Sequence, residues 1–434
     1  MIMTQGLYQT VNEHRLVFIS FAASVLLIYL SLYNSIFGVA AFLFHLMLLC
    51  TIAPSEYVIL LYALLPWAYV YKISGIATSL FSILVIATVL RNMLNLRRMD
   101  KDFIMPLVLF ILIVVMQAKM NNRTMLVMFI KLIFNLILLY QMSSFYKPGQ
   151  LKPVLLVFAF SVILSSIVAQ YTPNKALFLN KIKVEGVLVA FKYARFTGLQ
   201  NDPNYYNASL VISLLGLCYL YIKRDIGAIF FPLALICVYF GFLTYSKSFF
   251  LLLLMWFALL VYYAFQKKRR MLGTVLLLLS IIAVMFIFSG KVEVINVLMD
   301  RFNDPNGITT GRTDTWKTYG EYLFENVLAL LFGNGFGTMV LNAHASHNTY
   351  IDLIYCFGIV GSICFLSTIY ACFLQNRRKG GRIFACVFSV FILAIYAFLS
   401  GITLCELPFI LFLVFMFYYD EETVLAPKYV VRLK

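Results

Sequence analysis

The chain has 434 residues, of which 63% are hydrophobic and 12% are charged, and its formal net charge is +16. Soluble domains carry about 25% charged residues, so this composition excludes an ordinary soluble protein. Apolar runs of about 20 residues, each long enough to cross a bilayer, recur along the chain. They are continuously apolar rather than alternating, which predicts helices and excludes a membrane β-barrel. We therefore expect an all-α polytopic membrane protein with a single integral membrane domain over residues 1–434.

The hydropathy pattern predicts about fourteen transmembrane helices. In chain order, they lie near residues 16–34, 36–53, 56–72, 75–91, 103–118, 123–145, 151–170, 204–222, 226–244, 247–266, 271–289, 346–373, 383–400 and 402–419.

The basic residues predict the orientation of these spans. With the N-terminus in the cytoplasm, twenty Lys and Arg residues fall on the cytoplasmic side and four in the short loops of the other side. The positive-inside rule then places both termini in the cytoplasm. Most basic residues lie in short loops between spans, where this rule predicts them, so the net charge does not indicate nucleic acid. We expect membrane lipids as partners and no nucleic acid. Two long segments, near 171–203 and 290–345, become external loops.

The first external loop ends in a candidate anion site. Asn201, Asp202 and Asn204 are typical cap and turn residues, and Pro203 suits a first helical turn, so span eight is expected to start here. A helix start favours an anion, and Arg195 just upstream is able to hold one bidentately. The alternative is a plain helix cap beside an incidental arginine.

Two further basic residues stand at external positions. Lys247, at the start of span ten, either extends to the lipid headgroups or supplies a second cation for a phosphate, and its spacing favours neither. Arg312 lies in the segment Gly311-Arg312-Thr313-Asp314-Thr315-Trp316. Residues 313–331 are expected to form one amphipathic helix along the membrane interface. Its apolar side would hold Trp316, Tyr319, Leu323 and Val327.

His347 lies at the predicted start of span twelve, where the external surface meets the bilayer. A neutral imidazole there is able to accept a proton from a hydroxyl group, and the alternative is a capping or interfacial histidine. Asp352 and Glu406 are further candidates, expected to face an external cavity, because a carboxylate at membrane depth is costly and usually paired. His45 in span two is expected to be a packing residue, and the sequence assigns no role to Lys131 in span six.

The motifs, taken in order over roughly residues 190–365, resemble the O-antigen ligase and O-antigen polymerase superfamily. They are Arg195-Phe196-Thr197-Gly198, Asn201-Asp202-Pro203-Asn204-Tyr205, Ser246-Lys247-Ser248, Gly311 to Trp316, Gly333-Asn334-Gly335-Phe336-Gly337, His347-Asn348-Thr349-Tyr350 and Gly358-Ile359-Val360-Gly361.

The resemblance implies transfer of glycans from undecaprenyl pyrophosphate on the outer, periplasmic face of the bacterial inner membrane, without a metal or other cofactor. It also implies that Arg195 and Arg312 carry the loop arginines of the family and that His347 carries its loop histidine. Lys247 stands where many relatives have arginine, which puts its phosphate-binding role in doubt because lysine lacks the planar fork.

This chemistry agrees with the residues present. Displacement at an anomeric carbon needs cations for the departing pyrophosphate, which Arg195, Arg312 and Lys247 would supply, and a base for the acceptor hydroxyl, which His347 would supply. His344 and His347 lack a third ligand, so no metal site is expected. The further candidates are the binding residues Asn201, Asp202 and Asn204, the aromatic residues Tyr205 and Trp316, which would stack on sugars or anchor at the interface, and Asp314.

The expected function is therefore polymerisation of lipid-linked oligosaccharide repeat units into O-antigen or capsular polysaccharide, with a chain-length regulator as a candidate partner. The resemblance favours a polymerase, because Phe- and Tyr-rich sequences of this superfamily resemble its polymerases more often than its ligases. The alternatives are an O-antigen ligase, which transfers the finished glycan to lipid A–core, and a flippase for lipid-linked oligosaccharides. A flippase would depend on mid-membrane polar residues such as Lys131 and His45.

Overall fold

The computed structural model describes most of the chain. The described residues are 5–72, 79–95, 99–117, 123–147, 149–172, 179–184, 187–200, 202–223, 225–266, 273, 276, 279–280, 312–335, 340–341, 344–374, 383–397, 399 and 406–420.

Helices make up most of the described structure. They are α1 (Gln5–Glu13), α2 (Arg15–Ser31), α3 (Ser35–Thr51), α4 (Pro54–Leu64), α5 (Leu80–Asn95), α6 (Lys101–Met116), α7 (Arg123–Ser144), α8 (Leu151–Tyr171), α9 (Pro203–Ile222), α10 (Phe230–Phe242), α11 (Lys247–Gln266), α12 (Arg312–Glu325), α13 (Val327–Phe332), α14 (Thr349–Leu374), α15 (Ile383–Tyr396) and α16 (Leu407–Asp420), with 3₁₀ turns at Leu65–Trp67 and Gly227–Ile229.

Within the described part of the chain, four helices are long and apolar enough to cross a membrane: Leu126–Ser144, Leu151–Tyr171, Pro203–Ile222 and Thr349–Leu374. Seven shorter apolar helices accompany them. This architecture agrees with an all-α membrane protein. The predicted span 271–289 lies almost wholly outside the described residues, so the total of fourteen stays a prediction.

One predicted span is divided by a proline. The sequence predicts a helix over 56–72, but α4 ends at Leu64 and the 3₁₀ turn Leu65–Trp67 follows. Pro66 lacks a backbone N–H, and its ring collides with the carbonyl one turn earlier, so a regular α-helix does not continue through it.

The segment predicted to be the first external loop contains a β-hairpin that the sequence analysis does not anticipate. Strand β1 (Leu179–Val184) pairs antiparallel with β2 (Val187–Phe196), with an irregularity between Asn180 and Lys181. Strand β2 is rich in β-branched and aromatic residues, which favour extended backbone. A second, two-residue pair joins β3 (Val340–Leu341) to β4 (His344–Ala345).

The prediction of one continuous amphipathic helix over 313–331 is wrong, because the structure has two helices there. Asn326 has φ −118° and ψ 79°, which separates α12 from α13. Tyr319 and Leu323 are buried, whereas Val327 is exposed. The apolar side of α12 therefore packs on protein and does not continue into α13.

The chain divides into two compact units. The first comprises residues 1–13 and 155–313. Its central element is α9, which is buried from Tyr206 to Leu220 because it is apolar on every side. It packs against α10 and α11, and the indole Nε1 of Trp256 on α11 donates to the carbonyl of Leu214 at 3.1 Å.

The second unit comprises residues 14–154 and 314–434. Its most extensive helix pair is α6 with α14. The ring of Phe110 lies 4.9 Å from that of Phe357 and 5.5 Å from that of Phe365, centroid to centroid. Between these two contacts, Gly358 has φ 66° and ψ −177°, so α14 consists of two helical segments joined at a kink.

His45 has the packing role that the sequence predicts. The side chain is buried, and its Nδ1 lies 2.8 Å from the Tyr71 hydroxyl while Nε2 lies 2.7 Å from Oγ of Ser24. Both ring nitrogens therefore have hydrogen-bond partners within the second unit, as a buried polar side chain requires.

Candidate functional site

Arg195 lies at the end of β2, where three contacts fix its position in the first unit. The backbone N–H of Phe196 donates to the carbonyl of Leu243 at 3.0 Å. Nε of Arg195 donates to the carbonyl of Thr244 at 2.9 Å, and Nη2 reaches Oδ1 of Asn204 at 3.5 Å. The guanidinium therefore joins the segment before α11 to the first turn of α9.

The start of α9 agrees with the sequence prediction. Asp202 is the N-cap and accepts from the backbone N–H of Asn204 at 2.7 Å, and Pro203 occupies the first helical position. Tyr205 follows in the same turn and is partly exposed. Asn201, the other predicted member of this segment, lies outside the described residues.

The start of α11 meets the start of α9. Oγ of Ser246 donates to Oδ1 of Asn204 at 3.0 Å and lies 2.8 Å from Oγ of Ser248. Lys247 is the first residue of α11. Each helix start carries a partial positive charge from its backbone N–H groups. Two such starts beside two basic side chains create a positive potential suited to an anion.

Arg312 interacts with Asp202 in the same unit. Burial lowers the pKa of the Arg312 guanidinium below its ordinary value, and the neighbouring Asp202 carboxylate acts against this shift. An arginine keeps its charge at physiological pH even so. We use the name cation cluster for Arg195, Lys247 and Arg312 together with Asp202 and Asn204.

Gly198 lets β2 turn directly into α9. Its φ is +57°, and a Cβ there would stand 2.4 Å from the ring of Tyr206. The Tyr206 hydroxyl lies 2.5 Å from Oγ of Ser166. Glycine adopts this backbone conformation readily and has no Cβ to collide with the Tyr206 ring. Gly198 therefore shapes the cation cluster through the backbone and not through a side chain.

Backbone strain coincides with two of the motifs. Among the described residues, only Tyr245 and His347 combine a side chain larger than glycine with a positive φ, which is 49° at both. Each stands within two residues of the start of a long helix, α11 and α14. Left-handed backbone at bulky residues is uncommon and is concentrated at functional sites.

His347 is exposed between two buried residues of the second unit, Ser346 and Asn348. Oδ1 of Asn348 accepts from the backbone N–H of Tyr350 at 3.0 Å and of Ile351 at 3.2 Å. Asn348 therefore caps α14, so the capping role belongs to Asn348 and not to His347.

Trp316 and Asp352 hold the His347 segment in place. The indole Nε1 of Trp316 donates to the carbonyl of Ser346 at 2.8 Å. Oγ of Ser346 donates to Oδ1 of Asp352 at 2.5 Å. Asp352 is buried, which contradicts the expectation that it faces an external cavity. Both side chains bind Ser346, the residue before His347, and in this way fix the position of the histidine backbone.

Two further predicted residues lie near the starts of α12 and α16. Asp314 is exposed in the first turn of α12, where a carboxylate complements the helix dipole. Glu406 is partly exposed just before α16 and interacts electrostatically with the Tyr69 hydroxyl.

Sequence reasoning missed three polar residues close to the motifs and left the motif residue Ser246 without a role. Ser246 and Ser346 connect motif residues to one another, and their positions beside Lys247 and His347 were the available signal. Gln200 and Asn207 flank the start of α9. Oε1 of Gln200 and both amide atoms of Asn207 are buried without a hydrogen-bond partner among the described residues.

No protein-family model matches this chain, and neither a curated protein nor a solved structure matches it. Within the described part of the chain, no group of three His, Cys, Asp or Glu residues is placed to hold a metal ion.

Proposed function

We propose that this chain is a membrane glycosyltransferase that polymerises undecaprenyl-pyrophosphate-linked oligosaccharide repeat units into O-antigen or capsular polysaccharide. We propose further that it acts on the periplasmic side of the bacterial inner membrane. The order of the sequence motifs and the apolar helices support this function.

The observation that carries the proposal is the cation cluster. Pyrophosphate carries several negative charges, and the cluster offers two arginines, a lysine and two adjoining helix starts. Preorganised cations stabilise charge that develops on a leaving group. We assign Arg195, Lys247 and Arg312 to the pyrophosphate.

His347 is the proposed base. Its imidazole is exposed, its backbone is strained and the capping role belongs to Asn348. These features support a catalytic role over a merely structural one.

The proposed reaction forms one glycosidic bond and breaks one phosphate ester bond. The acceptor hydroxyl oxygen attacks the anomeric carbon of the donor sugar and transfers its proton to His347. The bond from that carbon to the pyrophosphate oxygen breaks, and undecaprenyl pyrophosphate leaves with the electron pair. No oxidant or metal is needed to balance the step.

The experiment that tests the function is a polysaccharide ladder gel from cells that lack this protein. Single repeat units on lipid A–core would support a polymerase. Unmodified lipid A–core, with long chains accumulating on undecaprenyl pyrophosphate, would indicate a ligase instead of a polymerase. Lipid-linked units retained on the cytoplasmic face would indicate a flippase instead of a polymerase. The structure does not favour a flippase at His45, because both ring nitrogens of this residue are hydrogen-bonded within the protein.

The role of the cation cluster has a matched test. Arg195→Lys keeps the charge but removes the planar fork, so we expect a clear loss of chain extension with normal protein level. Lys223→Gln removes a charge at the opposite end of α9 and should leave the ladder unchanged. Equal ladders from both variants would contradict the assignment of Arg195.

Lys247 has its own test. Lys247→Arg restores the arginine expected by resemblance and should preserve or raise activity, whereas Lys247→Gln should weaken donor binding. If Lys247→Gln is as active as the unmodified chain, this lysine serves the lipid headgroups instead.

A further inference from the structure

Helix α13 exposes a continuous apolar surface. Its side chains Val327, Leu328, Leu331 and Phe332 are all exposed, Leu328 to 75%. Phe324, 80% exposed, adjoins them at the end of α12. We name the four α13 residues the α13 surface. No charged residue occurs between Asn326 and Phe332, so placing the side chains of this helix in hydrocarbon would bury no charge.

The backbone fixes where α13 lies along α14. The N–H groups of Asn334 and Gly335, which follow α13, donate to the carbonyls of Tyr355 at 2.9 Å and Cys356 at 3.0 Å. A Cβ at Gly358 would stand 2.4 Å from the backbone of Leu331. This backbone contact, hereafter the glycine crossing, joins α13 to the kink of α14.

The glycine crossing lies within the apolar part of a helix able to span a membrane. Gly358 is nine residues after Thr349, the first residue of α14, which corresponds to about 13 Å of helix. A Cβ at Gly335 would stand 3.1 Å from the carbonyl of Gln117, the residue that ends the apolar helix α6. The α13 surface is therefore level with the apolar part of α14, and the residues that follow α13 reach the end of α6.

Exposed apolar side chains continue along α14 from the same point. Ile359, Ile363 and Leu366 lie on one helical face, and all three are exposed. A helix surface bathed in water would carry polar residues at such positions. The region around the glycine crossing is thus apolar on the span and on the short helix packed against it.

We propose that the α13 surface is immersed in the hydrocarbon of the outer leaflet, where its partner is phospholipid acyl chains. Helix α13 is then a re-entrant element within the membrane. The apolar side of α12 that the sequence assigns to the membrane packs on protein instead. This inference needs the membrane location but not the proposed glycosyl transfer, so it is tested without any activity measurement.

The test compares two positions of equal exposure. Leu328 and Lys317 are each 75% exposed, and Lys317 lies on the charged part of α12. Leu328→Cys and Lys317→Cys are made in a chain whose exposed Cys50 and Cys386 are replaced by alanine. Each new thiol is labelled with the fluorophore NBD, and labelling of the background chain without a new cysteine is subtracted. The purified protein is placed one copy per nanodisc, without polyprenyl lipid.

We expect NBD at position 328 to emit at a shorter wavelength and to lose more than half of its fluorescence in discs made with acyl-brominated phospholipid. NBD at position 317 should emit as in water and be quenched little. Equal, water-like behaviour at both positions would overturn the proposal and leave a second copy, a protein partner or the polyprenyl chain as the occupant. If Leu328→Cys does not fold, Val327→Cys replaces it with the same expected outcomes.

Discussion

At the scale of single residues, the strained backbone of His347 separates a chemical role from a structural one. Its φ of 49° is tolerated by asparagine and glycine better than by most residues. His347→Asn should therefore preserve the fold while removing the imidazole that is proposed as the base. We expect transfer activity to fall by about 10²–10⁴-fold with unchanged protein level. A variant with near-normal activity in a quantitative ladder assay would show that the imidazole is not the base.

Ser346 tests the support of the same histidine. Ser346→Ala removes the donor to the buried Asp352 carboxylate and should cost about 1–3 kcal/mol of stability. We expect a lower thermal unfolding midpoint in detergent and a smaller loss of activity than for His347→Asn. Thr318→Ala is the control, because its hydroxyl bonds within exposed α12 and its loss should change stability by less than about 0.5 kcal/mol. Equal stability of the two variants would contradict the supporting role.

At the scale of elements, the motif glycines act through packing. The Gly358 backbone faces that of Leu331, and a Cβ at Gly333 would stand 2.3 Å from the carbonyl of Cys356. The sequence marks both glycines as motif members, but only the crossing of α13 and α14 explains why a side chain is excluded at these two positions.

Replacing glycine by alanine should have opposite effects on stability at Gly358, in the glycine crossing, and at Gly320, outside it. Gly358→Ala combines positive φ with a backbone clash and should destabilise the protein by about 2–5 kcal/mol. Gly320→Ala, inside α12 with open space around it, should stabilise it by up to about 1 kcal/mol. Thermal unfolding of both variants in detergent measures the difference. A Gly358→Ala protein as stable as the unmodified chain would contradict the tight crossing.

At the scale of the whole molecule, the charge distribution predicts the topology. Alkaline phosphatase fused within 290–345 should be active, and fused after the basic run 267–270 it should be inactive. A fluorescent protein at the C-terminus should fold and fluoresce in the cytoplasm. The reverse pattern would place the cation cluster on the cytoplasmic side and would remove the basis for transfer on the periplasmic side.

The sequence by itself determined the helical class, the starts of α9 and α11 and the packing role of His45. These follow from local causes: apolar runs require a bilayer or a core, and Asp followed by Pro favours a helix start. Local patterns also made Arg195, Lys247 and His347 candidates.

Only the tertiary structure decided how those residues are held. The Asn204–Ser246 bond and the glycine crossing join positions that are distant in the chain, and periodicity carries no information about them. The break at Asn326 and the β1–β2 hairpin escaped prediction for the same reason. Side-chain pairing and packing between elements, rather than local propensity, select such features.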